Sequence, residues 1–135
     1  MLNLIDPPTA AWLLLIGRIL IAFVFLVSGI HKAIWYQKAV EEFKDDGVPL
    51  IPISLPGTIL LHLGGAICLI LGVFTELAAL ALAIHTAAAT YMVHGFWRLE
   101  GIERLIRSRI FSANLGVIGG LLYIAALGPG PIALG

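Results

Sequence analysis

Four long apolar runs, roughly residues 10–31, 56–75, 77–95 and 110–128, alternate along the chain with short polar segments. Each run is near the ~20 residues that an α-helix needs to cross ~30 Å of hydrocarbon. A bilayer core offers no water to unpaired backbone groups, so such runs must close their hydrogen bonds internally, as helices. The pattern predicts an all-α integral membrane four-helix bundle occupying residues 1–135 as one domain. Pro7 and Pro8 precede the first run, Pro49, Pro52 and Pro56 precede the second, and Pro129 and Pro131 end the fourth. Proline fits the first turn of a helix, where its missing N–H costs no bond. Little beyond Phe74-Thr75-Glu76 separates the second and third runs, which predicts a tight hairpin with Thr75 capping the third helix.

Residues 35–46 depart from this pattern. Trp35, Ala39, Val40 and Phe43 recur at helical spacing on one side, with Lys38, Glu41, Glu42, Lys44 and Asp45 on the rest. That describes a short interfacial helix after the first span, ended by Gly47, with a plain charged loop as the alternative. Residues 98–109, with four arginines against Glu100 and Glu103, are expected to lie similarly at the interface, meeting anionic headgroups or simply setting topology.

Charge orients the bundle. Lys32, Lys38 and Lys44 follow the first run, and Arg98, Arg104, Arg107 and Arg109 follow the third; the tails and the 2–3 hairpin have no Lys or Arg. By the positive-inside rule both basic connections are cytoplasmic and both termini face the outer side. Trp12 on that side, and Trp35, Tyr36, Phe96 and Trp97 on the other, suit the two interfaces. A mean hydropathy of +1.03 with 12% charged residues lies far from soluble domains, where charged residues make up ~25%. The formal net charge of +0 argues against a nucleic-acid partner. No basic run precedes the first span, so it is expected to stay in the mature protein rather than act as a cleaved signal. Cys68 is the single cysteine, which excludes thiol-pair chemistry and suits a packing role.

Helices in lipid associate through close packing, so small residues are expected where they meet. Gly64, Cys68 and Gly72 repeat every four residues on the second span, Ala78, Ala81, Ala88 and Ala89 flank His85 on the third, and Gly116 and Gly120 form a GxxxG on the fourth. The GxxxG serves either an internal seam or a contact with a second copy of the chain.

An ionisable group at the centre of a span costs ~2.5–3.5 kcal/mol on insertion scales, so each needs a partner or a purpose. At ~1.5 Å per residue, Arg18 and His85 both come out ~12–13 Å from the outer surface, and are expected in one layer with Tyr123 and Cys68. Arg18 shares a helix face with Phe25, Ser28, Gly29 and Lys32, which is expected to turn inward. A second layer, nearer the cytoplasm, would gather His62, Tyr91, His94 and Asn114, approached by His31 and Lys32 from the first span. A cavity lined by His, Asn, Tyr and a cation suits the carbonyls of a quinone or another flat apolar molecule. The same groups would equally serve as interhelical hydrogen bonds that fix register. His62 and His85 differ by ~8 Å in estimated depth, which disfavours a haem clamp, whose axial nitrogens are only ~4 Å apart. No motif for a metal occurs within a span.

Several segments together resemble the DoxX family: Arg18-Ile-Leu-Ile-Ala-Phe-Val-Phe-Leu-Val-Ser28-Gly29-Ile-His-Lys32, Gly47-Val-Pro49, Gly64-Gly65 through Leu71-Gly72, His94-Gly-Phe96-Trp97, Asn114-Leu-Gly-Val-Ile-Gly119-Gly120 and Gly128-Pro-Gly130. The resemblance extends over nearly the whole chain, in order. It implies a four-helix inner-membrane protein, some relatives being the membrane subunit of a thiosulfate:quinone oxidoreductase and others parts of oxidative-stress assemblies. In that pattern the second helix usually carries a glutamate where this chain has His62, and the outer hairpin often has a basic residue where it has Glu76. A histidine can donate, accept or carry positive charge, so proton-linked roles do not transfer directly. Taken together, these readings lead to a quinone-interacting membrane subunit that works with a soluble redox partner on its cytoplasmic face. Its ligand candidates are Arg18, Lys32, His62, His85, Tyr91 and Asn114. The alternative is a non-enzymatic scaffold, chaperone-like subunit or small-molecule carrier.

Overall fold

The computed structural model describes residues 4–135. Among these the chain forms five α-helices and no strand: α1 (Pro7–Ile34), α2 (Tyr36–Asp45), α3 (Ile51–Leu71), α4 (Thr75–Val93) and α5 (Gly101–Leu127). All but α2 are long and apolar enough to cross a membrane. The end of the bundle carrying Lys32 to Lys44 and Arg98 to Arg109 is called the basic end below, and the opposite one the tail end.

Local chemistry sets the helix limits. Asp6 caps α1, its Oδ2 accepting the Thr9 N–H at 3.2 Å, and Pro7 and Pro8 fill the first positions. Only Trp35 interrupts the path from α1 to α2; its N–H reaches the His31 carbonyl and its own carbonyl accepts from Ala39. The predicted short helix after the first span is therefore present, with Ala39 buried and its charged face exposed. Gly47, at φ +72, ends it in a Schellman motif, in which Val48 N–H bonds the Phe43 carbonyl and Gly47 N–H that of Lys44.

Three boundaries differ from the sequence expectation. α3 begins at Ile51, because Leu50 turns left-handed at φ 52 and places Pro52 in the first turn, leaving Pro56 inside the helix. Thr75 is the first residue of α4 rather than its cap. The three-residue turn puts Phe74 in the left-handed region, whereas a capping side chain needs extended backbone, and Thr75 Oγ1 is left without a partner. α5 begins at Gly101, so the arginine-rich stretch forms its first turns instead of a separate interfacial segment.

Packing runs from α1 to α3, from α3 to α4 and from α4 to α5, with α1 and α5 meeting least, while α2 lies against α1 and α3 at the basic end. The core comprises Ala22 and Phe25 of α1, Ala66 and Leu69 of α3, Ala78, Ala79, Leu82 and Ala83 of α4, and Leu121 of α5. On α3 the inward stripe is Leu55, Thr58, His62, Gly65 and Leu69, at spacings of three and four. A Cβ on Gly65 would stand 2.9 Å from Leu82, whereas Gly64 is exposed with nothing near it. The close approach therefore uses Gly65, and the Gly64-Cys68-Gly72 repeat is not the packing stripe. Gly120 of the GxxxG abuts Ile21 of α1, an internal contact, while Gly116 faces open space.

Candidate functional site

The face of α1 that carries Arg18, Phe25, Ser28, Gly29 and Lys32 turns inward, and it meets two separate polar clusters, one at each end of the bundle. Toward the tail end, Arg18 is 2% exposed, and its two terminal guanidinium nitrogens bond backbone carbonyls while Nε is left without a partner among the described residues. Nη2 donates to Ile132 at 2.8 Å and to Ile70 at 3.4 Å, and Nη1 donates to the Pro129 carbonyl. These acceptors lie in the last turn of α3 and beyond the end of α5, where helix dipoles favour a cation. Residues 128–135 fold back over this end, helped by a bond from Leu134 N–H to the Leu71 carbonyl at 2.9 Å. Gly72 permits the approach, since a Cβ there would lie 2.5 Å from Ala133 and 3.2 Å from the guanidinium carbon. Arg18 thus does not share a layer with His85, and it faces backbone rather than a ligand space.

His85 lies instead against His62, the ring centroids 5.0 Å apart and nearly perpendicular, with Phe25 edge-on to His62 at 5.3 Å. The ~8 Å offset between the two histidines does not hold: they are level, and the depth argument against a haem clamp goes with it. A chain of bonds joins the pair to α1. Lys32 Nζ donates to Ser28 Oγ at 2.7 Å, and Ser28 Oγ lies 3.1 Å from His62 Nδ1. On the other side, Asn114 Nδ2 donates to Thr90 Oγ1 at 2.9 Å, fixing α5 to α4.

These groups line a cavity of about 480 Å³ that opens between the four long helices toward the basic end. Ser28, Lys32, His62, His85 and Asn114 are among its polar positions, Glu42, Asp46 and His94 join them at the basic end, and Phe25, Met92 and Val117 are among its apolar walls. A second groove of about 440 Å³, between α1 and α2, shares Ser28, Lys32 and Glu42 with it and brings in His31, Trp35 and Lys38. Tyr91 and Tyr123, at 70% and 74% exposed, point away from the bundle, Tyr91 resting against Trp97. Neither lines the cavity.

The floor at the basic end is tied by Arg107 of α5. Its Nη1 donates to the Val93 carbonyl at the end of α4, and Nη2 lies 3.6 Å from Asp46 Oδ1 after α2. His94 lines the cavity beside them. Burial, with added repulsion from Arg107, holds its imidazole below the ordinary pKa of 6.5, while Asp46 pulls the other way. Arg104 lies 6.0 Å over the Phe96 ring, in range for a cation–π contact.

Structure therefore brings together Lys32, His62, His85 and Asn114 from the sequence candidates and separates Arg18 and Tyr91 from them. It adds Ser28 as the link to His62 and Thr90 as the partner of Asn114, neither given a bonding role on sequence grounds. The i, i+4 spacing of Ser28 and Lys32 is the signal that points to the first, since such pairs meet on one helix face.

A DoxX family model matches residues 13–95, from the first turns of α1 to just past α4. Among curated proteins, the chain is similar to the inner membrane protein YqjF of Escherichia coli, at 32% identity over 89% of this chain and 87% of that protein. It is likewise similar to inner membrane protein YphA of the same organism, at 27% identity over 90% of this chain and 87% of the relative. A more distant likeness is the ER-derived vesicles protein ERV29 of Saccharomyces cerevisiae, at 25% identity over 98% of this chain but 36% of the relative. No solved structure is significantly similar to the chain.

Proposed function

The chain belongs to the DoxX family as a multi-pass inner membrane protein, and on that premise we propose that it is the quinone-interacting membrane subunit of a redox assembly. The observation that carries this reading is the cavity, in which hydrogen-bonding groups from α1, α3, α4 and α5 meet beside apolar walls such as Phe25, Met92 and Val117. Its volume of about 480 Å³ falls within the ~300–1,000 Å³ usual for small-molecule sites. A quinone head would place one carbonyl oxygen at His62 and His85 and the other toward Asn114, its apolar tail leaving between α1 and α5, the loosest helix pair.

Reduction of the quinone to quinol takes two electrons and two protons. This chain has no cofactor motif, so the electrons come from a soluble partner that holds its own redox centre. Arg98, Arg104 and Arg109 are exposed at the basic end and would receive an acidic face of that partner. In this reading the basic end is cytoplasmic and both termini lie on the periplasmic side, by the charge asymmetry of the connections.

A second reading, a non-enzymatic scaffold or small-molecule carrier, is favoured by Arg18, whose guanidinium is committed to holding the tail. One experiment separates the two. Protein extracted gently from membranes is analysed for bound quinone by mass spectrometry, beside His62→Ala and Asn114→Ala variants whose helix content is checked by circular dichroism. Quinone in the wild type, lost in folded variants, supports the redox reading. Absence of quinone from all three, with only earlier melting in the variants, supports the scaffold.

A further inference from the structure

The bonds that lead to His62 have a direction. An ammonium group has only protons to give, so at 2.7 Å Lys32 Nζ donates and Ser28 Oγ accepts. Thr58 and Thr86 turn their hydroxyls back onto the carbonyls of Ser54 and Leu82, four residues earlier in their own helices. Ser28 does otherwise, with Lys32 on one side of its oxygen and His62 Nδ1 on the other at 3.1 Å. With no carbonyl bonded to its hydroxyl, Ser28 has His62 Nδ1 as the one acceptor in reach among its contacts with the described residues, an arrangement that calls for the bare nitrogen of a neutral imidazole there. The ring proton is then on Nε2, the nitrogen left to the cavity.

We infer that Lys32 and Ser28 lock His62 as a hydrogen-bond donor toward the cavity, and that the site thereby selects a ligand with accepting oxygens, the oxidised quinone over its quinol. This rests on the quinone reading above and gives it a redox preference. Neither Lys32 nor Ser28 needs to touch the ligand; both are positioning residues acting through His62. Asn114 can add a second donor, because one of its two amide protons goes to Thr90 and the other remains, although its Oδ1 is also there to accept. A carbonyl oxygen meets these donors without needing an acceptor in return. A quinol hydroxyl at His62 must also give its own proton, which a locked Nε2–H cannot take, so that proton has to reach an acceptor elsewhere in the lining, the Asn114 Oδ1 or the Glu42 and Asp46 carboxylates.

The test uses full-length protein in lipid nanodiscs with ¹⁵N-labelled histidine. The His62 signals, identified by their loss in His62→Gln, are expected to show protonated Nε2 and bare Nδ1 in the wild type. Ser28→Ala and Lys32→Met should give a mixture of tautomers, and Ser28→Thr, which keeps the hydroxyl, should restore the lock. In the same samples decylubiquinone should bind about 10-fold more tightly than its quinol, a ratio falling toward one in Ser28→Ala and Lys32→Met. A wild-type ring protonated on Nδ1, or a tautomer unchanged in both variants, overturns the inference. A locked His62 in protein that binds neither form of the probe supports the lock while overturning the quinone reading, so the two failures are distinguishable.

Discussion

Replacing Arg18 with methionine keeps most of the side-chain volume and removes the guanidinium that holds the C-terminal segment. In the native protein that group gives bonds to Pro129, Ile132 and Ile70 while almost fully buried. Hydrogen bonds from a charged donor are worth ~1.5–3 kcal/mol each, and the one to Ile70, at 3.4 Å, is the weakest of the set. Relief from holding a desolvated ion offsets several kcal/mol. The carbonyls of Pro129 and Ile132 can regain solvent if the tail swings away, so the net cost comes to about 2–4 kcal/mol. That corresponds to a melting temperature lower by on the order of 10 °C. The assay pairs thermal melting in detergent with a carboxypeptidase time course on residues 128–135, which should be trimmed much faster in Arg18→Met. Truncation after Gly128 in the wild type leaves the guanidinium without two of its acceptors and should cost more, about 3–5 kcal/mol. The combined variant should be no worse than truncation alone, because the two changes remove one interaction. Additive losses, or a tail as protected in Arg18→Met as in the wild type, would refute this reasoning.

Other consequences follow from particular contacts. Gly65→Ala should cost about 1–3 kcal/mol, since its new Cβ meets the buried side chain of Leu82 at 2.9 Å. Gly64→Ala should be neutral or slightly stabilising by chemical or thermal melting, because that position is open. The His94 imidazole is held below 6.5 in the folded protein, so as pH falls the unfolded chain takes up its proton first. The stability due to neutral His94 is therefore present above pH 6.5, and is lost as pH falls from there through the folded-state value. Melting between pH 7.5 and 5 should decline less steeply in His94→Gln than in the wild type; equal slopes would contradict the assignment.

The spans and the short helix after the first could be read from sequence because a bilayer constrains length and polarity so tightly. The inward face of α1 was legible as well, since Arg18, Phe25, Ser28, Gly29 and Lys32 can share one side of a helix only if that side is sheltered. The partners of Arg18 were not. They are backbone carbonyls, one at the end of α3 and two in a tail with no acidic residue, and a carbonyl leaves no trace in a sequence. The ~8 Å offset expected between the histidines follows from a second span that starts at residue 56, whereas α3 begins at Ile51. The hairpin is the better ruler: His62 stands nine residues before Leu71 and His85 ten after Thr75, and equal paths along two helices from one turn put them level. The packing glycine is hidden in the sequence for a related reason. Gly64 and Gly65 are adjacent, and only the phase set by Leu55, Thr58, His62 and Leu69 tells which faces in.

The central claim is that a quinone head occupies the space between His62, His85 and Asn114. Photolabelling with an azidoquinone in native membranes, followed by peptide mapping, tests it most directly. Adducts should fall on cavity walls such as Phe25, Met92 and Val117, and should disappear when excess unlabelled quinone competes. Adducts on lipid-facing positions such as Leu122 and Tyr123, undiminished by the competitor, would contradict it.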